Sequence, residues 1–137
     1  MSAKFLVDTD ILIYLRQKRS PQITARFRTL GAGEAAMSVI THGELLYGAE
    51  RSQQRERSLQ AVGELASLLP VLALPEEASM EYGPLRAELE RRGAVVGNND
   101  LWIAAHAKTA GLILVTNNEK EFRRITGLRI ENWAAGK

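Results

Sequence analysis

The sequence predicts an α/β fold, a single domain over residues 1–137 in which a mainly parallel sheet of four to five strands lies between layers of helices (three-layer αβα). Three observations predict it. Short apolar runs alternate with longer stretches of helical periodicity, the order that gives parallel strands joined by right-handed crossover helices. Hydrophobic residues make up 45% of 137, enough for one continuous core. No internal repeat, linker or low-complexity tract divides the chain.

Lys4-Phe5-Leu6-Val7 reads as a buried strand ending at Asp8, followed by a helix with Ile11, Leu12 and Leu15 on one side and Thr9 or Asp10 as its cap. Pro21 opens a second helix carrying Ile23, Phe27 and Leu30, closed by Gly31-Ala32-Gly33. Ala35-Ala36-Met37 is the second strand, and Ser38 is placed to cap the helix containing Ile40, Leu45 and Tyr47. The charged stretch 51–57 reads as a solvated corner, and helical periodicity resumes from Leu59 to Leu69. Val71-Leu72-Ala73-Leu74 is the third strand, and Pro75-Glu76-Glu77 has the composition of a first helical turn. That helix ends at Gly93 behind Arg91-Arg92, and 95–99 is a loop. Asp100 opens an almost wholly apolar helix, Leu101 to Ala110, stopped by Gly111. Leu112-Ile113-Leu114-Val115 is the fourth strand and Leu128-Arg129-Ile130 a short fifth.

Composition excludes several chemistries. The chain has no cysteine, so it builds no disulfide scaffold, thiol nucleophile, zinc knuckle or iron–sulfur site, and two histidines are too few for a His-rich metal site. No window approaches 18 uninterrupted apolar residues, and no signal-type segment precedes the first strand, so a soluble cytoplasmic protein with no membrane contact is expected. The net charge of +2 is a mild bias, and polyanion binding would require clustering of the basic residues. Thirteen of the 16 acidic residues are glutamate, most in helical stretches; the three aspartates, Asp8, Asp10 and Asp100, each stand where an apolar run meets a helix start.

In open parallel sheets ligands bind beyond the carboxyl ends of the strands. After the first strand comes Asp8; after the second, the helix bearing Glu44; after the fourth, Thr116, Asn117, Asn118, Glu119 and Glu121. Asp100 begins the helix leading into that fourth strand. Glu44 shares its helix face with Ile40, Tyr47 and Gly48, and Asp100 lies over Ile103, Ala104 and Ala107, so neither sits on a wet, charged face. Each acid alone has a structural alternative as a helix cap or surface carboxylate; their joint placement at one sheet edge is the signal. Two carboxylates ~4 Å apart repel by about 4 kcal/mol at an effective dielectric near 20. Three converging acids therefore call for a proton or a cation, and an all-oxygen donor set points to Mg2+ or Mn2+. Such an ion lowers the pKa of a bound water and offsets charge on a phosphate.

Other motifs fall away. His42-Gly43-Glu44 lacks the cysteines of a zinc deaminase. His106 lies on roughly the opposite helix face from Asp100 and reads as a structural or surface residue. Gly31-Ala32-Gly33 follows a helix and fails as a dinucleotide loop. Trp102 and Trp133 read as core residues, two isolated indoles that make no base-stacking platform. Arginine outnumbers lysine 13 to 5, which suits bidentate phosphate contacts. Arg16, Lys18 and Arg19 read equally as a backbone contact or a solvated corner.

The segments 6–12 (LVDTDIL) and 38–48 (SVITHGELLYG) resemble the first two motifs of PIN-domain ribonucleases, and 97–107 (GNNDLWIAAHA) the third. The segments 114–122 and 127–133 resemble the closing part of VapC-type toxins of type II toxin–antitoxin systems, so the resemblance covers about residues 3–133. It implies an endoribonuclease dependent on Mg2+ (or Mn2+), with Asp8, Glu44 and Asp100 as catalytic acids and Asp8 and Asp100 as metal ligands. It also implies a homodimer held inactive by a VapB-type antitoxin that covers the acidic pocket, with operator DNA reached only through that antitoxin. Asn118 stands where many PIN proteins carry a fourth aspartate, and either Glu119 or Glu121 is available to supply the carboxylate. Asp10 stands where asparagine is commoner, and Thr116 is placed to position a water or another acid. The expected products are 5′-phosphate and 3′-hydroxyl ends.

Two rivals remain on this reading. Asp8-Thr9-Asp10 after a first strand also suits phosphotransferases with an aspartyl nucleophile, but Asn117-Asn118 after the fourth strand offers none of the further aspartates they need. The other rival is a catalytically weak PIN domain that only binds RNA or an antitoxin.

Overall fold

The computed structural model describes residues 2–134. Five parallel strands, β1 (Phe5–Val7), β2 (Ala35–Ser38), β3 (Val71–Leu72), β4 (Ile113–Val115) and β5 (Ile130–Glu131), lie in the order β3-β2-β1-β4-β5. The central β1 pairs Leu6 with Ala36 on one side and with Leu114 on the other. Successive strand residues point to opposite faces, and two cores result. Val7, Met37 and Val115 pack in one, with Ile11, Leu12, Ile23, Leu45, Val62 and Trp133. Leu6 and Leu114 belong to the other, with Leu85, Leu101, Ile103, Ala104 and Phe122.

The helices divide accordingly. Helices α1 (Thr9–Arg16), α2 (Pro21–Arg28), α3 (Val39–Arg51) and α4 (Arg55–Leu68) cover the first face. Helices α5 (Ala78–Arg91), α6 (Asn98–Ala110) and the single turn α7 (Glu119–Phe122) cover the second, giving the three layers. Among the described residues no helix is long and apolar enough to cross a membrane.

Several boundaries differ from the sequence expectation, each for a physical reason. The third strand stops at Leu72 rather than Leu74, because its one neighbour β2 ends at Ser38, opposite Leu72, and leaves the rest unpaired. The fifth strand is Ile130–Glu131, shifted toward the C-terminus. The cap of α1 is Asp8, not Thr9 or Asp10: Asp8 is still extended (φ −71°, ψ 159°), and its carboxylate accepts the Thr9 N–H. Helix α5 begins at Ala78, preceded by a turn in which Ala78 and Ser79 donate to Pro75 and Glu76. Helix α6 begins two residues before Asp100, with Leu101 N bonded to Gly97 O at 2.8 Å, so Asp100 occupies the first turn instead of capping it. Its end is as expected, Gly111 at φ +69°, where a side chain would be strained.

The two tryptophans part company. Trp133 is buried edge-on against Phe5 and Phe27, with ring centroids 5.1 Å apart in each pair. Trp102 belongs to neither core; it is half-buried and stacked on Tyr82 at 3.8 Å and 10°. The expectation of two isolated core indoles is corrected there, since Tyr82 reaches it from α5. His106 is buried, with its Nδ1 2.9 Å from the Oγ of Ser38, the residue that caps α3, and so ties α6 to the β2–α3 junction. Burial lowers its pKa.

Candidate active site

Strand β1 has β2 on one side and β4 on the other, and the chain reverses its order of addition at the β1–β4 seam. The carboxyl ends of these two strands are joined through side chains. Asp8, following β1, accepts the Thr9 N–H on Oδ1 and the Thr116 hydroxyl on Oδ2, both at 2.8 Å. Thr116, following β4, accepts the Asn118 N–H at 3.0 Å. Asp8 and Thr116 are buried. The residues just beyond the paired strands thus deliver a carboxylate that is desolvated and accepts one hydrogen bond on each oxygen.

Helix α3 supplies Glu44. Its Oε1 accepts the Thr9 hydroxyl at 2.6 Å and its Oε2 accepts Asn99 Nδ2 at 3.3 Å, so one carboxylate bridges the starts of α1 and α6. The buried Thr41, one turn before Glu44, stands 3.3 Å from the same Thr9 hydroxyl. From α6 comes Asp100, folded back so that a side chain at Gly97 would lie 3.7 Å from its Oδ2. From α7 comes Glu121, accepting the Gly97 N–H at 3.2 Å and Asn118 Nδ2 at 2.9 Å.

Glu119 and Glu121 have different surroundings in the structure. Glu121 hydrogen-bonds Asp100 carboxyl to carboxyl, whereas Glu119 is held by Arg123 at 2.6 Å and Asn132 at 2.8 Å. Phe122, fully buried, fixes the rotation of the short helix and turns the two glutamates apart. Asn118 takes the role of holding Glu121. Asp10 accepts backbone N–H groups from Ile11 and Asn117 and meets the Asp8 carboxyl, while its Oδ1 is buried with no donor.

These acids feel one another. Burial is the largest cause pushing Asp8 up to about 7; the Asp10 charge adds to it, Thr116 and the Thr9 N–H pull it down, and Glu44 raises it further. Asp100 is pushed up to about 8, first by burial, then by its hydrogen bond to Glu121 and by the charges of Asp8, Glu121 and Glu44. Burial also raises Asp10, against its backbone hydrogen bonds. Such upward shifts mean that the ionised cluster lacks a compensating positive charge.

Among the described residues no three His, Cys, Asp or Glu side chains already stand in metal-holding geometry; most of these carboxylates are spoken for by hydrogen bonds. The donor set still fits a hard divalent cation. Every candidate ligand is an oxygen, Asp8 and Asp100 are mutually repelling acids, and the orphaned Asp10 Oδ1 lies buried beside them. The sequence marks Thr9 as a cap candidate and gives Thr41 and Asn99 no role in the site. Their partnership with Glu44 left no sequence signal beyond hydroxyl and amide groups at two helix starts.

A parallel sheet in the order 3-2-1-4-5, with acids gathered beyond its central strands, defines the class to which the comparisons also point. Residues 5–128 match the PIN domain family. The chain is 42% identical to Ribonuclease VapC2 of Haemophilus influenzae, over 95% of this chain and 98% of that protein. It is 43% identical to the tRNA(fMet)-specific endonuclease VapC of Shigella flexneri, over 96% and 98%. The crystal structure of DNA-bound VapBC from Salmonella typhimurium superposes with a TM-score of 0.90 at 43% identity, over 96% and 98% of the chains. The chain belongs to the PIN-domain family, on its VapC branch.

Proposed function

We propose that this protein is a Mg2+-dependent endoribonuclease, the toxin of a VapBC-type pair, with Asp8, Glu44 and Asp100 as its catalytic acids and Asp8 and Asp100 as metal ligands. One observation carries the reading: Asp8 and Asp100, far apart in sequence, lie close enough that the Asp8 charge helps burial push Asp100 up to about 8, while burial pushes Asp8 itself up to about 7. Mn2+ serves as a substitute. The relatives named as ribonucleases support the substrate class, and the S. flexneri relative, named tRNA(fMet)-specific, makes initiator tRNA the first substrate to test.

The cation supplies positive charge that acidifies a water and offsets charge building on the phosphate. The protein's own groups do the rest. Thr116 and the Thr9 N–H orient Asp8, and Thr9 and Asn99 fix both oxygens of Glu44. Glu44 is thereby positioned to order a water or accept its proton. Gly97 and Asn118 hold Glu121 against Asp100.

A VapB-type antitoxin is the partner, in a hetero-oligomer built on a toxin homodimer, and operator DNA is bound through the antitoxin. The DNA-bound VapBC complex of Salmonella typhimurium supports the antitoxin partner and the contact with DNA. The protein acts in the cytoplasm, where its substrate is. Incubating purified, antitoxin-free protein with tRNA(fMet) and Mg2+, then mapping the ends, tests the activity. Cleavage leaving 5′-phosphate and 3′-hydroxyl is expected; 2′,3′-cyclic phosphate ends would refute attack by water.

A further inference from the structure

Gly97 stands between two places. Its N–H donates into the acid cluster, to Glu121, and its other side lines a cavity of about 230 Å³ between α5 and the start of α6. Leu89, Val96 and Leu101 give that cavity apolar walls, and Arg86 and Asn98 give it a polar rim. Pockets for drug-sized ligands measure about 300–1,000 Å³, so the space suits a single planar ring system.

The rim is preorganised. The Tyr82 hydroxyl donates to Asn98 Oδ1 and accepts from Arg86 Nη1, the latter at 2.9 Å. The Tyr82 ring is itself fixed by its stack on Trp102, and Arg86 Nε donates to Glu90 at 3.1 Å. With Oδ1 engaged, Asn98 presents an amide donor, Nδ2, that meets no acceptor among the described residues. Next to the cavity, Arg124 donates to the carbonyl of Val95, one of its lining residues, and Arg92 donates to Arg124 O; neither arginine pairs with a carboxylate among the described residues. Their charge is available to a polyanion.

We infer that this cavity receives one unpaired nucleobase of the RNA, flanking the phosphate presented to Asp8 and Asp100. The inference rests on the reading that the protein binds RNA. Unpaired bases splay out of the strand and are read by hydrogen bonds on their edges, and the Leu89, Val96 and Leu101 walls would bury the base's apolar faces. An aliphatic side chain from a protein partner would fill the walls but leave the Asn98 Nδ2 donor unmatched. Asn98 is the specificity residue, and Tyr82 and Arg86 are positioning residues that act through it.

A base-deletion cycle tests this. Binding of a labelled, short single-stranded RNA is measured by fluorescence anisotropy in EDTA, with an abasic ribose walked through every position. Loss of one particular base, with its apolar burial and edge hydrogen bond, is expected to weaken binding by the unsubstituted protein roughly tenfold. The R86A/N98A protein loses a similar factor on intact RNA and nothing further on that abasic RNA. No sensitive position, or losses that multiply, overturns the inference, as does R86A/N98A protein that binds RNA normally but changes its oligomeric mass or its grip on the antitoxin. Both substituted side chains are exposed, and the base walk on the unsubstituted protein needs no variant. RNA cleavage without base coupling removes this inference alone; base coupling without metal-dependent cleavage removes only the nuclease reading.

Discussion

Asp8 does two things at once, ending the central strand's run into α1 as its cap and carrying a carboxylate raised to about 7. The native state therefore binds protons that the unfolded chain, with ordinary carboxyls near 3.8, has released. Between those values the native state holds more protons than the unfolded chain, so the stability these two carboxyls contribute is full at low pH and is lost as pH rises from about 4 to about 8. Thermal unfolding in EDTA across that range is expected to show a falling Tm, and Mg2+ to restore it at the alkaline end; a flat or rising curve contradicts the assigned repulsion. Asp8→Asn keeps an acceptor for Thr9 while deleting the charge. It is expected to abolish cleavage and to raise the stability of the metal-free protein at pH 8, an effect on the order of 1 kcal/mol readable by urea titration. Thr116→Val removes a hydrogen bond that lowers the Asp8 pKa, so the acid limb of the pH–rate profile should move to higher pH. Asp8, Glu44 and Asp100 were legible as candidates because short apolar runs and uncharged helix faces surround them. Thr9 and Asn99 were not, since their partner Glu44 lies 35 and 55 residues away.

Helices place these groups, and their ends matter more than their middles. Helix α6 starts at Asn98, so Asn98, Asn99 and Asp100 fan out from its first turn toward the side cavity, Glu44 and Glu121 respectively. Its other end turns at Gly111, at φ +69°, into β4, which delivers Thr116. Gly111→Ala would force a side chain into the left-handed region and is expected to cost about 1 kcal/mol in urea unfolding; an unchanged midpoint would show that the turn relaxes. Strand and helix identities were readable from periodicity and from Gly and Pro punctuation. Element ends were less so, because they depend on partners. Strand β3 is cut short by the end of β2, and the start of α6 is fixed by the Leu101–Gly97 hydrogen bond rather than by the aspartate that advertises it. The same limit left Glu119 and Glu121 equivalent in the sequence, because only the seating of Phe122 turns one of them toward Asp100.

At the scale of the whole molecule, alternation of strand and helix was enough to foresee a parallel sheet covered on both faces, but not the strand order. That order places β4 beside β1 and so brings Thr116 to Asp8 across 108 residues. The central claim is that Asp8 and Asp100 together hold a divalent cation on which RNA cleavage depends. Calorimetric titration of the antitoxin-free protein with Mn2+, run beside RNA cleavage in the same buffer, addresses it most directly. The unsubstituted protein should bind the ion and cut RNA, while D8N and D100N should each lose both. Undiminished cleavage in EDTA, or a D8N/D100N protein that still binds the ion as the unsubstituted protein does, would contradict the claim.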